Sequence, residues 1–159
     1  MGYTTEFSGQ IEITPALPAD LIKYINDFGS TRRMKRDVEL IQQRYNGEYG
    51  FNGQYGTEGE YFIGGSGFMG QGNDSSVLDH NEPPSTQPGL WCQWVITDDG
   101  KYIEWDGSEK FYESEEWMKY IINNFIGKDY SCNGKIEAQG EDRYDHWFLT
   151  VKNNKVSTR

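Results

Sequence analysis

The sequence predicts an α+β fold, an antiparallel sheet with about three helices packed on one face and a long Gly/Tyr-rich central loop. Three observations carry this. Apolar residues alternate with polar ones near both ends of the chain, several stretches between repeat them at helical spacing, and the segment from Asn46 to Pro88 does neither. The elements run strand, helices, loop, hairpin, helix, hairpin, so strands and helices are segregated rather than alternating as in a parallel α/β fold.

The first strand lies in "YTTEFSGQIEIT", where Phe7, Ile11 and Ile13 share odd parity, and Gly9 predicts a bulge. In "PALPADLIKYINDFG", Pro18 suits a first helical turn and Leu21, Ile22, Ile25 and Phe28 repeat on one face. Gly29 stands where a left-handed cap ends the helix. Ser30 then predicts the cap of a second helix beginning with "STRRMKRD", in which Met34, Val38, Ile41 and Tyr45 line one face.

That helix would place Arg33 against Asp37 and Lys35 against Glu39, pairs worth about 0.2–0.5 kcal/mol each. Arg32 and Arg36 would stack as like charges near the positive end of the helix dipole, an arrangement an anion relieves. The chain's own carboxylates are one source of that anion, and a phosphate or an acidic partner is the other. Arg32 and Arg36 are therefore candidate ligand-binding residues.

From about 46 to 88 the chain is an irregular insert in which only "EYFIG" reads as a strand. A long irregular stretch in a compact domain, when ordered, is usually functional, so the site is expected here or beside it. Beyond it, "GLWCQWVIT" and "KYIEWDG" read as strands joined at "DDG". "SEEWMKYIINNFIG" is a helix capped by Ser114, with Trp117, Ile121 and Phe125 as its stripe and Gly127 as its stop. "YSCNGKIEAQGED" and "DHWFLTVKNNKVST" supply two or three closing strands.

A length of 159 residues makes one domain, 1–159, the expectation. Hydrophobic residues are 35% and aromatics 15%, so Tyr and Trp must supply both core and a polar skin. With net charge -10, carboxylates outnumber cations 25 to 15, which argues against general nucleic-acid binding and against an anionic membrane surface. Cys92 and Cys132 form no C-x-x-C, so no metal or redox pair is signalled. With no long apolar run and no charged-then-apolar leader in "MGYTTEFSGQ", the expectation is a soluble cytoplasmic protein without membrane contact.

Gly65, Gly67 and Gly70 have G-x-G-x-x-G spacing after "EYFIG", but no helix pattern follows to receive a pyrophosphate, so the residues are ligand-binding candidates only as a flexible glycine loop. Asp79 and His80 could serve as acid and base, alongside Asp74, Asn81 and Glu82. Their spacing matches no metal pattern, and a turn held by Asp and Asn side chains explains them too. Trp91 and Trp94 in "GLWCQW" fit either core or a stacking surface. Glu141, Asp142, Asp145 and His146 fall in one turn that can bind a cation, meet the arginines, or remain a solvated hairpin tip.

"MGYTTEFSGQIEITPAL", "TRRMKRD", "PGLWCQW", "EKFY", "CNGKIEAQGED" and "DHWFLTVKNNKV" resemble small uncharacterised proteins of bacteria, including actinobacteria, and of their phages. The resemblance covers most of the chain except Asn46 to Thr57. It implies no activity and carries over no site residue. Function is therefore read from the residues. The leading expectation is a small acidic accessory protein that binds a protein partner or a nucleotide-like anion stoichiometrically, as an inhibitor, sponge or immunity factor, with no cofactor. The alternatives are an enzyme on a phosphorylated or ADP-ribose-like substrate, with Arg32 and Arg36 on the phosphate and Asp79 and His80 as acid and base, and a phage structural or assembly component.

Overall fold

The computed structural model describes residues 3–64 and 75–159. In chain order the elements are β1 (Glu6–Thr14), α1 (Ala19–Gly29), β2 (Lys35–Arg36), α2 (Val38–Tyr45), β3 (Val77–Asp79), β4 (Trp94–Ile96), β5 (Tyr102–Trp105), α3 (Ser114–Ile121), β6 (Ser131–Gln139), β7 (His146–Lys152) and β8 (Lys155–Thr158). The fold is α+β, as the sequence predicts. The chain divides into two compact units, unit 1 from Met1–Asn26 with Gln93–Arg159 and unit 2 from Asp27–Cys92.

Unit 1 is built on a six-stranded sheet of order β4-β5-β1-β6-β7-β8, with every neighbouring pair antiparallel. Alternation decides its faces. Phe7, Ile11 and Ile13 of β1, Cys132, Ile136 and Ala138 of β6, and Leu149 and Val151 of β7 are buried on one side. From α3, Trp117 and Ile121 are fully buried, and the Trp94 indole N–H donates to the Ser114 carbonyl at 2.9 Å. Phe7 is ringed by Trp94, Trp105, Phe111 and Trp147 in edge-to-face contacts at 5.3–6.0 Å, the geometry aromatic quadrupoles favour.

Gly9 does not make the expected bulge. The β1–β6 register runs unbroken from Glu6 against Gln139 to Thr14 against Ser131. Gly9 is required for another reason: its φ is +110°, and a Cβ there would stand 2.8 Å from the Lys135 carbonyl oxygen, so the strands meet where only hydrogen fits.

Ser114 is not the cap of α3 either. Glu113 precedes the helix in the left-handed region at φ 59°, and Ser114 is the first helical residue, buried, with its carbonyl used by Trp94. After Ile121 the chain widens into a π-helical turn over Ile122–Ile126, closed by the Gly127 N–H on the Ile122 carbonyl at 2.8 Å. The expected stripe of Trp117, Ile121 and Phe125 is buried throughout.

Unit 2 holds α2, and α2 is shorter than the sequence predicts. Ser30 and Thr31 bond back to Asp27 and Phe28 and finish α1, while the N–H groups of Arg33, Lys35, Arg36 and Asp37 go to the carbonyls of Leu90, Glu82, Glu58 and Ser76. Four distant acceptors hold "RRMKRD" extended, which outweighs the high helix propensity of its Arg, Met and Lys residues. The helix starts instead at Asp37, whose β-region backbone and carboxylate bond to the Leu40 N–H at 3.3 Å make the N-cap. The expected pairs Arg33–Asp37 and Lys35–Glu39 therefore do not form on a shared helix face.

"EYFIG" is not a strand. Phe62 N–H bonds to Gly59, Tyr61 to Tyr55 and Ile63 to Tyr49, a set of turns that folds Phe62 onto Ile41 and Tyr55, with Val38 and Tyr45 around them. Tyr55 fixes the preceding glycine-rich turn, donating to the Glu48 carbonyl and accepting from the Gly47 N–H, both at 2.8 Å. β2 instead pairs with β3, a strand with no period-two signature in the sequence.

Candidate functional site

Arg32 and Arg36 do not stack on one another. Arg36 is 1% exposed, lies over the Phe62 ring at 4.8 Å and donates to the Ser76 hydroxyl at 3.0 Å, so its guanidinium belongs to the interior of unit 2. Arg33 is buried with it, 4.1 Å over the Phe28 ring and bonded to the Glu60 and Phe62 carbonyls. Arg32 is half-buried and turns the other way, its Nε donating to the His80 carbonyl at 3.0 Å and Nη2 to Asn81 Oδ1 at 3.4 Å. Lys35 bridges Glu82 at 3.2 Å and Glu58 at 3.6 Å. The Glu58 carboxyl is held below the usual carboxylate range by the Ser85 hydroxyl and N–H and by Lys35, and Lys35 is raised chiefly by its bond to Glu82.

The β2–β3 pairing thus brings Arg32 beside His80 while taking Arg36 away from it. Asp79 and His80 are exposed. Asp79 accepts the Asn81 N–H at 2.9 Å in a local turn, and His80 Nδ1 lies 3.4 Å from Asn81 Oδ1. Trp94 is fully buried and so belongs to the core, whereas Trp91, in unit 2, is half-buried and outside any strand. Gly65, Gly67, Gly70 and Asp74 lie outside the described residues. No group of three or more His, Cys, Asp or Glu side chains suited to a metal occurs among the described residues, and no helix among them is long and apolar enough to cross a membrane.

The acidic turn between β6 and β7 is bonded within unit 1. Asp142 Oδ1 accepts the Tyr144 N–H at 2.9 Å, Asp145 Oδ2 accepts the Tyr3 hydroxyl at 2.7 Å, and Glu141 accepts the Thr4 N–H. His146 points elsewhere, with Nε2 at 2.6 Å from Glu137 Oε2.

The feature that sequence reasoning missed is the outer face of the sheet. The registers Lys135 against Thr150 and Lys152 against Lys155, with Arg159 exchanging both backbone bonds with Phe148, put Lys135, Lys152, Lys155 and Arg159 on one surface with Thr150 and Ser157. All four cations are exposed, and none forms an ion pair among the described residues. Half-buried Phe148 lies among them with the Lys135 ammonium 4.9 Å over its ring. Among the described residues the one side-chain carboxylate on these three strands of the face, Glu137, is bonded to His146. The β5–β1 half carries Glu104, Glu6 and Glu12, of which Glu104 accepts from Gln10 at 2.7 Å. A period-two reading of "KIE", "HWFLTVK" and "KVSTR" contains the signal, but it emerges only once the three strands are in register.

No family model, no curated protein and no solved structure matches this chain.

Proposed function

We propose that the protein is a stoichiometric binding protein that recognises an acidic segment of a protein partner through the outer face of β6, β7 and β8. The observation that carries this reading is the concentration of the exposed side chains of Lys135, Lys152, Lys155 and Arg159 around Phe148 on one sheet face, in a chain of net charge -10. Lys152 stands directly opposite Lys155, an arrangement that costs stability until an anion comes between them. An acidic protein segment is favoured over nucleic acid because Glu6, Glu12 and Glu104 border the patch on the same face and repel a polyanion long enough to reach them. Binding is favoured over catalysis on a phosphorylated substrate because Arg36, which that scheme needs at the phosphate, is buried against Phe62. A role in a bacterial or phage setting, as the sequence resemblance implies, is compatible with such an accessory factor.

The test is fluorescence anisotropy with labelled poly-glutamate and a labelled single-stranded DNA oligonucleotide at several salt concentrations. Poly-glutamate is expected to bind with an affinity that falls as salt rises, and Lys152→Glu with Lys155→Glu to weaken it about tenfold or more, equivalent to about 1.4 kcal/mol. Arg32→Glu is expected to leave it unchanged. Binding that survives the double charge reversal removes the proposal, and tighter binding of the oligonucleotide at equal salt replaces the partner class.

A further inference from the structure

The two edges of the six-stranded sheet are finished differently. At β4 the edge is closed by a side chain, since the Asn26 amide donates to the Ile96 carbonyl at 3.0 Å and accepts the Ile96 N–H at 2.8 Å, as a neighbouring strand would. At β8 no described segment pairs with the outer side. Arg159 spends its N–H and C=O on Phe148, both bonds at 3.0 Å, and antiparallel alternation then turns Ser157 and Lys155 the same way. The N–H and C=O of Val156 and Thr158 therefore point away from β7. The strand is also held in place, because the Thr158 hydroxyl donates to Glu115 Oε1 of α3 at 3.1 Å. An edge already ordered loses little freedom on pairing.

We propose that the outer side of β8 receives an added strand: an extended acidic segment of a partner protein, hydrogen-bonded to Val156 and Thr158, with its carboxylates beside Lys155 and Arg159. This rests on the reading that the partner is acidic and adds how it is held, by main-chain bonds for affinity and alternate side chains for selection. A second copy of the chain is disfavoured as the occupant. Two β8 strands related by a two-fold axis through Ser157 pair Val156 with Thr158 and set Lys155 opposite Arg159 of the second copy, twice over. Like charges directly opposite are destabilising. The charges that keep this edge from self-association become attractive towards an acidic strand.

The probe is a labelled peptide alternating Glu and Val, compared with the same peptide N-methylated at every Val amide, which keeps every charge and removes the N–H groups that face Val156 and Thr158 in an antiparallel pairing with the glutamates beside Lys155 and Arg159. Anisotropy gives affinity, and amide hydrogen exchange of the unmodified protein gives the place. The expected result is that the plain peptide binds about tenfold or more tightly than the methylated one and slows exchange at Val156 and Thr158. Equal binding of both peptides, with no slowing at these amides, overturns strand addition and leaves the charged-face reading standing. Failure of both peptides and of poly-glutamate overturns both. A dimer in sedimentation that protects Val156 and Thr158 without peptide assigns the edge to a second copy and overturns the acidic occupant.

Discussion

Arg33 shows how a charge can belong to a core. It is 2% exposed, its guanidinium covers the Phe28 ring, and it supplies hydrogen bonds to the Glu60 and Phe62 carbonyls. Arg33→Met keeps most of the bulk but leaves buried carbonyls without those donors, so a loss of about 2–4 kcal/mol is expected, read from the urea midpoint. Arg32→Met, at a half-exposed site, is expected to cost well under about 1 kcal/mol in the same assay. Glu58 makes a pH prediction. Its folded carboxyl titrates below its unfolded value, so its contribution is present at neutral pH and disappears as pH falls through the lowered value. Lys35, raised, keeps its contribution through neutral pH and loses it only in the alkaline range. Glu58→Gln is therefore expected to lower stability at pH 7 and to shrink the difference from the parent protein as pH falls below the ordinary carboxylate range. A constant difference across that range contradicts the assignment. Cys132 is buried and its thiol is pushed up to about 11 by desolvation, so a thiol reagent at pH 8 is expected to label it only at the rate of unfolding.

At the scale of elements, the β7–β8 hairpin turns on Asn153 and Asn154, with φ of 49° and 70°, the left-handed pair that matches the twist of a two-residue hairpin. Asn154 also reaches across unit 1, accepting the Cys132 N–H at 2.6 Å and donating to the Tyr130 carbonyl at 2.8 Å, which ties the hairpin to the start of β6. Asn154→Gly keeps the backbone and removes these bonds, for an expected loss of about 1–2 kcal/mol. Asn154→Ala adds the left-handed penalty of about 1 kcal/mol or more, so the two variants should differ by that amount in thermal or urea melts. Equal losses would show that the side-chain bonds alone matter. What the sequence made legible follows from range. Phe7, Ile11 and Ile13 declare β1 by alternation, and Trp117, Ile121 and Phe125 declare the helix by spacing, because a neighbour a few residues away fixes each pattern. "RRMKRD" misleads because its N–H groups are taken by Leu90, Glu82, Glu58 and Ser76, residues that no local window contains. "EYFIG" misleads likewise: its apolar residues serve a cluster with Ile41 and Tyr55, and their alternation is incidental. The charged face was written in three separate strands and needed two registers to assemble.

On the scale of the whole molecule, unit 2 is inserted between Asn26 and Gln93 of unit 1, and unit 1 carries its own core. Ile11, Trp94, Ile103, Trp117, Ile121, Ile136 and Leu149 are buried and all belong to it. The insertion point is narrow. Asn26 is bonded to Ile96, and Ile96 is three steps of extended chain from Gln93, about 10 Å at strand rise. A Gly/Ser linker of about eight residues has a root-mean-square reach of about 16 Å and spans that gap without strain. Replacing Asp27–Cys92 with such a linker is therefore expected to leave a folded sheet, with a dispersed amide spectrum, a single cooperative melt and poly-glutamate affinity within about twofold of the full chain, a difference under about 0.5 kcal/mol. The affinity term matters most, because every side chain assigned to the charged face lies in unit 1, whereas Arg32, Arg36, Asp79 and His80 lie in unit 2. A folded deletion variant that no longer binds poly-glutamate would move the site to unit 2, where Arg32 is the half-exposed arginine. A variant with a collapsed spectrum would instead show that residues between Asp27 and Cys92 complete the core of the sheet.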